Sequence, residues 1–227
     1  MDAAPTKREQ QTLEEHKLSV PRTARYYSLG TPSDQTRHLW LVCHGYGQLA
    51  RYFLRHFQPL DDGKTVIIAP EALSRFYLDG FSGRVGATWM TKEDRLSEID
   101  DQATYLNLLL EEQLKQLPED VQVTVLGFSQ GGATVSRWFT NTSLPVHRLV
   151  LWAAAFPEDI DFTTGKAAFT GLPVHVVYGT RDEFITPEKL QQQEKLLAKL
   201  GIAPVFYTFE GGHTIHGETL LTLNSNS

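Results

Sequence analysis

The stretch VTVLGFSQGGATVSRW, residues 123–138, runs apolar up to Gly127 and Phe128, delivers one serine between two glycines, and then turns to helical spacing. Apolar residues without alternation are how a strand reads when both faces of its sheet are covered. Gly127-Phe128-Ser129-Gln130-Gly131 fits G-x-S-x-G with a strand before it and a helix after it, the context in which that motif carries chemistry. A serine on so tight a turn takes a strained backbone, and the residues two places to either side must lack side chains. Gly127 and Gly131 meet that need, and Gly132 eases the helix onto the sheet. The turn would raise the Ser129 hydroxyl over the strand ends and leave the Gln130 N–H at the positive end of a helix, aimed at an oxyanion. A plainer reading makes Ser129 a helix cap after a glycine-rich turn, so the motif counts only with partners.

Outward from this stretch, β-rich runs alternate with segments of helical period. Strands are predicted at 17–21, 24–29, 38–43, 64–68, 121–127, 147–152, 173–178 and 204–209, and helices near 49–59, 93–116, 130–142, 187–200 and 217–223. In the longest helix, Leu96, Ile99, Ala103, Leu106, Leu109, Leu110, Leu114 and Leu117 form one apolar stripe that Pro118 ends. Pro187 sits at the first turn of a later helix, with Thr186 as its cap. The alternation predicts an α/β fold with a mainly parallel sheet of about eight strands, the first two forming an antiparallel start. Chemistry in such sheets gathers at the carboxyl ends of the strands.

Composition excludes several classes. The chain has 227 residues, 41% apolar and 21% charged, enough for one continuous core. A net charge of −6 argues against a nucleic-acid surface. No apolar run reaches the roughly 18 to 20 residues of a membrane-spanning helix. The opening MDAAPTKREQQTLEEHK is polar, unlike a secretory signal, and the single cysteine, Cys43, forms no internal disulfide. The reading expects a cytoplasmic protein with a polar lead-in over 1–16 and a single domain over 17–227.

A serine hydroxyl needs a base to take its proton, and the base needs an orienting acid. On this kind of turn they follow in the order serine, acid, histidine. His147 and His175 begin or lie inside predicted strands and read as buried structural residues. His213 follows the last strand in FEGGHTIHG, where two glycines let the loop bend inward, and is preferred to His216 at the entrance to the last helix. Asp182, in VVYGTRDEFITPE, stands just past a strong strand and is preferred to Glu183, Asp159 and Asp161. A second oxyanion donor is expected after an early strand, where LVCHGYGQLARYF supplies the Tyr46 N–H between Gly45 and Gly47. His44 reads as a loop-shaping residue and Cys43 as a small core residue. Trp89, Phe81, Phe156 and Phe184, with Phe76, Tyr77, Met90 and Ile185, are candidates for a substrate wall or for aromatic closure of the core. Arg84, Lys92 and Arg95 read as solvated surface or as partners of an anionic leaving group. No cluster has metal-ligand spacing, so no metal is expected.

HGYGQ, IIAPEA, GATWM, SEIDDQATYL, GFSQGGA, GTRDEFITPE and GGHTIHGETL, in this order between Leu39 and Leu221, resemble the phospholipase/carboxylesterase group of α/β-hydrolases, which includes acyl-protein thioesterases. The resemblance implies a doubly wound hydrolase core without a large lid domain, no cofactor, and hydrolysis of small-molecule carboxylic esters or thioesters. By position it places a triad on Ser129, Asp182 and His213 and oxyanion donors on Tyr46 and Gln130. The group usually has an aliphatic residue where this chain has Tyr46, and residues 71–90 lack its proline-rich wording. Competing readings are an acyltransferase or peptidase with the same triad, or a non-catalytic binding protein on the same scaffold.

Overall fold

The computed structural model describes residues 13–225, and at 162–164 the backbone alone. Its strands are β1 (Tyr26–Leu29), β2 (His38–Cys43), β3 (Thr65–Pro70), β4 (Ser74–Tyr77), β5 (Val85–Thr88), β6 (Gln122–Phe128), β7 (Arg148–Trp152), β8 (Val174–Gly179) and β9 (Val205–Phe209). Its helices are α1 (Ala50–Phe53), α2 (Arg95–Leu114), α3 (Gln130–Phe139), α4 (Phe162–Phe169), α5 (Pro187–Lys199) and α6 (Gly217–Ser225), with a 3-10 segment at Leu54–Leu60. Among the described residues seven strands form one sheet in the order β1-β3-β2-β6-β7-β8-β9. Strands β2, β3, β6, β7, β8 and β9 are parallel, and β1 pairs antiparallel with β3.

The strands read as near-continuous apolar runs because both faces are covered, successive side chains pointing to opposite sides. On one side Leu39, Leu41, Val123 and Val125 pack with Leu106 and Leu110 of α2, Val135 and Trp138 of α3, and Leu197 of α5. On the other, Trp40, Val42, Leu126 and Val150 pack with Phe53, Phe57 and the α6 residues Leu220 and Leu223. Of the stripe read along 93–116, Leu106, Leu109 and Leu110 are buried and Ala103 and Leu114 pack beside them, whereas Leu96 is 65% exposed at the start of α2. This is the α/β-hydrolase architecture expected from the sequence, and among the described residues no large lid stands over it.

Register brings the working ends together. Cys43 lies beside Gly127, Phe128 beside Trp152, and Gly179 beside Phe209, so the loops after β2, β6, β8 and β9 open on one edge of the sheet.

Several expectations need correction. Residues 17–21 form no strand; Leu18 is 86% exposed and has nothing to pair with or pack on. Seven strands therefore stand in the sheet where about eight were expected. The helix predicted at 49–59 breaks after one turn into the 3-10 segment, which contains Pro59, a residue without the N–H an α-helix needs. The β4–β5 hairpin and α4 were not predicted. Residues 1–12 of the polar lead-in lie outside the described residues. Among those described, no helix is long and apolar enough to cross a membrane.

Candidate active site

Ser129 joins β6 to α3 at φ 52° and ψ −119°, a region that costs a non-glycine residue about 1–3 kcal/mol. The turn is held on both sides: Ser129 N–H donates to the Trp152 carbonyl at 2.9 Å, and its own carbonyl accepts from Gly132 N–H at 3.0 Å. A Cβ at Gly127 would stand 2.4 Å from the Gly131 carbonyl oxygen, and one at Gly131 would stand 2.3 Å from that of Cys43. The glycines are there because the turn closes against itself and against the end of β2. The strain is compensated by this packing, and it leaves the serine half-buried at the sheet edge.

Asp182 and His213 approach from the loops after β8 and β9. His213 Nδ1–H donates to Asp182 Oδ2 at 2.8 Å, while Asp182 Oδ1 accepts from Phe184 N–H at 2.9 Å. The Asp182 side chain is fully buried and His213 keeps 21% of its side chain exposed, so a dry carboxylate orients a reachable ring. The two loops are joined by Arg181 N–H to Gly211 carbonyl at 2.8 Å. A Cβ at Gly179 would meet that same Gly211 oxygen at 2.2 Å, so the approach requires a glycine at the end of β8. Trp152 Nε1–H donates to Thr214 carbonyl at 2.9 Å, tying the histidine loop to β7. The His213 ring lies 4.9 Å from Phe128, the residue before Ser129, and 4.8 Å edge-on from Phe184. With Nδ1 committed as donor, Nε2 is the basic nitrogen. Among the described residues the Ser129 hydroxyl has no hydrogen-bond partner, and such contacts often tighten only when substrate is bound.

Two of the rival candidates are engaged elsewhere. His216 stacks on Phe209 and accepts from Thr219 N–H at 3.4 Å, capping α6. Asp159 is paired with Arg137 and Arg95.

The loop after β2 is built on His44, which is fully buried. Its Nε2 accepts from Ala72 N–H at 3.1 Å, which puts the proton on Nδ1, and that nitrogen donates to Gly45 carbonyl at 2.7 Å. Burial holds its pKa down to about 4, so the ring is neutral. Burial also pushes the Cys43 thiol up, and a thiol kept protonated is a poor nucleophile. Gln48 Oε1 accepts Gly45 N–H at 2.8 Å, and Gly47 N–H donates to Ala87 carbonyl of β5 at 2.9 Å. The Gln130 side chain accepts from Trp89 N–H at 3.1 Å and donates to Met90 carbonyl at 2.9 Å. The unpredicted hairpin therefore pins both the loop after β2 and the start of α3. Among the described residues neither Tyr46 N–H nor Gln130 N–H has an intramolecular acceptor. Gln48 went unnoticed in the sequence, because nothing local distinguishes a glutamine that folds back on its own loop.

The expected substrate wall divides. Trp89 is fully buried, with Nε1–H on His44 carbonyl at 2.8 Å, and it supports the loop from beneath. Phe156 is 4% exposed and packs on Phe169 of α4. Neither has open surface to present. Phe81 stands fully in solvent in the β4–β5 turn, whereas Phe184 is 54% exposed beside His213. Among the described residues no group of three or more histidine, cysteine, aspartate or glutamate side chains could hold a metal ion.

This fold, with a strained serine at the end of β6 and an aspartate–histidine pair on the same edge, defines an α/β-hydrolase. The family model for Phospholipase/Carboxylesterase matches residues 25–225, and the chain belongs to that family. Among curated proteins no match is found. Zea mays acyl-protein thioesterase 2 superposes with a TM-score of 0.68 at 18% identity, covering 89% of this chain and 97% of that one. Esterase PE8 does so with a TM-score of 0.68 at 21% identity, covering 90% and 98%. The Bacillus cereus carboxylesterase gives 0.63 at 13% identity, covering 89% and 92%. At these identities the structural likeness speaks to the fold.

Proposed function

We propose that the protein is a serine hydrolase that cleaves carboxylic esters, thioesters among them, through an acyl-enzyme. Ser129 attacks the carbonyl carbon while His213 Nε2 takes its proton and Asp182 holds the imidazole tautomer. The N–H groups of Tyr46 and Gln130 receive the oxyanion. Collapse breaks the bond to the alcohol or thiol, which leaves with the proton from His213, and water then repeats the sequence on the acyl group. Phe184 flanks the acyl or leaving group beside His213. The observation that carries the reading is the buried Asp182 carboxylate 2.8 Å from His213 Nδ1, on the sheet edge where Ser129 takes its strained turn. Family membership and neighbours named as thioesterase, esterase and carboxylesterase favour ester chemistry over amide or transfer chemistry.

Two measurements test it. A fluorophosphonate probe should label Ser129, since only an activated serine reacts quickly. A panel of p-nitrophenyl esters of graded chain length should be turned over, and Ser129→Ala should lower kcat by a factor on the order of 10⁶. Undiminished hydrolysis by that variant would overturn the assignment.

A further inference from the structure

Beside the loop after β2 lies an open groove of about 590 Å³, lined by Gln48, Arg51, Tyr52, His56, Leu78 and Arg84 among others. None of its lining residues is acidic. The Arg51 guanidinium sits over the Tyr52 ring at 4.4 Å and hydrogen-bonds to its hydroxyl, and Arg55 lies 5.0 Å from the same ring. Arg84 closes the β4–β5 turn, its carbonyl accepting from Leu78 N–H at 2.8 Å. Among the described residues none of Arg51, Arg55 and Arg84 forms an ion pair, whereas Arg25, Arg75, Arg95, Arg137 and Arg181 each meet a carboxylate. On a chain of net charge −6, two guanidinium groups without an ion pair in the groove wall, Arg51 and Arg84, with Arg55 beside Tyr52, make a local field of the opposite sign. Stacking on Tyr52 also limits the freedom that the Arg51 fork must lose on binding a planar anion.

The groove adjoins the candidate site through one short loop. Gly47 and Gln48 form its wall, and Gln48 holds Gly45 N–H. A Cβ at Gly45 would stand 3.1 Å from Ser129 Cβ, so the far side of the loop faces the serine. From Gly45 to Gln48 the backbone spans at most roughly 10 Å.

We propose that this groove receives an oxyanion group, a carboxylate or a phosphate, at the end of the non-reacting arm of an ester substrate, with Arg51 and Arg84 as its partners. The proposal rests on the hydrolase reading and adds a substrate class to it: esters whose arm crosses Tyr46 and ends in negative charge.

The test uses p-nitrophenyl monoesters of α,ω-dicarboxylic acids from succinate to suberate, each beside its methyl-capped neutral counterpart. At low salt the free acid of the fitting length should have a KM about tenfold below its capped partner, and added salt should narrow the difference. In Arg84→Gln and in Arg51→Gln the ratio of the two KM values should fall toward one, and Arg84→Lys should restore part of it. A matched ester ending in phosphate separates the two anions, the tighter arm naming the group. Equal KM values for charged and capped esters, or a ratio the variants do not move, would overturn the proposal. Binding of adipate to Ser129→Ala, followed by isothermal titration, separates the two ideas. If no ester is hydrolysed yet adipate binds and Arg84→Gln abolishes the binding, the anion site stands and the hydrolase reading falls. If adipate does not bind and no ester is discriminated, the anion site falls.

Discussion

Asp182 spends both carboxylate oxygens on orientation, one on His213 Nδ1 at 2.8 Å and the other on Phe184 N–H at 2.9 Å, while its side chain is wholly buried. A carboxylate so placed fixes which imidazole nitrogen is basic and, in the proposed mechanism, would balance the charge the ring gains. Asp182→Asn keeps the shape but presents an amide whose nitrogen favours the wrong tautomer. The expected result is a fall in kcat of about 10⁴ with KM little changed, read from ester hydrolysis. A loss of less than about tenfold would place the orienting acid elsewhere.

Gly131 is required by close approach rather than by its own torsion, since its missing Cβ would meet Cys43 carbonyl oxygen at 2.3 Å. Gly131→Ala must push α3 away from β2, shifting the Gln130 N–H relative to Tyr46. Stability should fall by about 1–3 kcal/mol, measured by urea unfolding. Turnover of the folded variant should fall as well, because the proposed oxyanion donors would act only within a narrow distance range.

Much of this arrangement was legible because it is local. Glycines two places either side of Ser129 announce the turn, and the apolar runs before Asp182 and the two glycines before His213 put both at strand ends. The rest depends on contacts between distant segments. The strands of the β4–β5 hairpin are four residues each, too short to show a period, and β5 is held by Gly47 and Gln48 some forty residues earlier in the chain. Trp89 and Phe156 read as pocket aromatics, yet one is buried under His44 and the other packs on α4, a helix with Gly165 inside it that the pattern did not reveal.

Gln130 contributes its backbone to the proposed oxyanion site and its side chain to the hairpin. The amide accepts from Trp89 N–H and donates to Met90 carbonyl. Gln130→Leu preserves the backbone N–H but leaves the Trp89 N–H without its acceptor, while the Met90 carbonyl keeps the Thr88 hydroxyl, so a loss of about 1–3 kcal/mol is expected in chemical unfolding. Esterase activity should drop more than Tyr46→Phe lowers it, since the latter leaves the backbone of its loop untouched.

The buried imidazoles set an acid limit on stability. An ordinary histidine titrates near 6.5, and burial holds His44 down to about 4. Burial, with Arg148 nearby, holds His175 down to about 4 as well. Between these values the unfolded chain takes up protons that the native protein refuses. Stability is therefore complete above about pH 6.5 and declines as pH falls toward 4, by on the order of 3 kcal/mol for His44. Urea unfolding at intervals from pH 8 to pH 4 should trace this decline. His44→Gln, although less stable at neutral pH for want of the bonds to Gly45 and Ala72, should reduce the slope in that window. A slope unchanged by the substitution would mean that His44 takes up its proton in the folded protein.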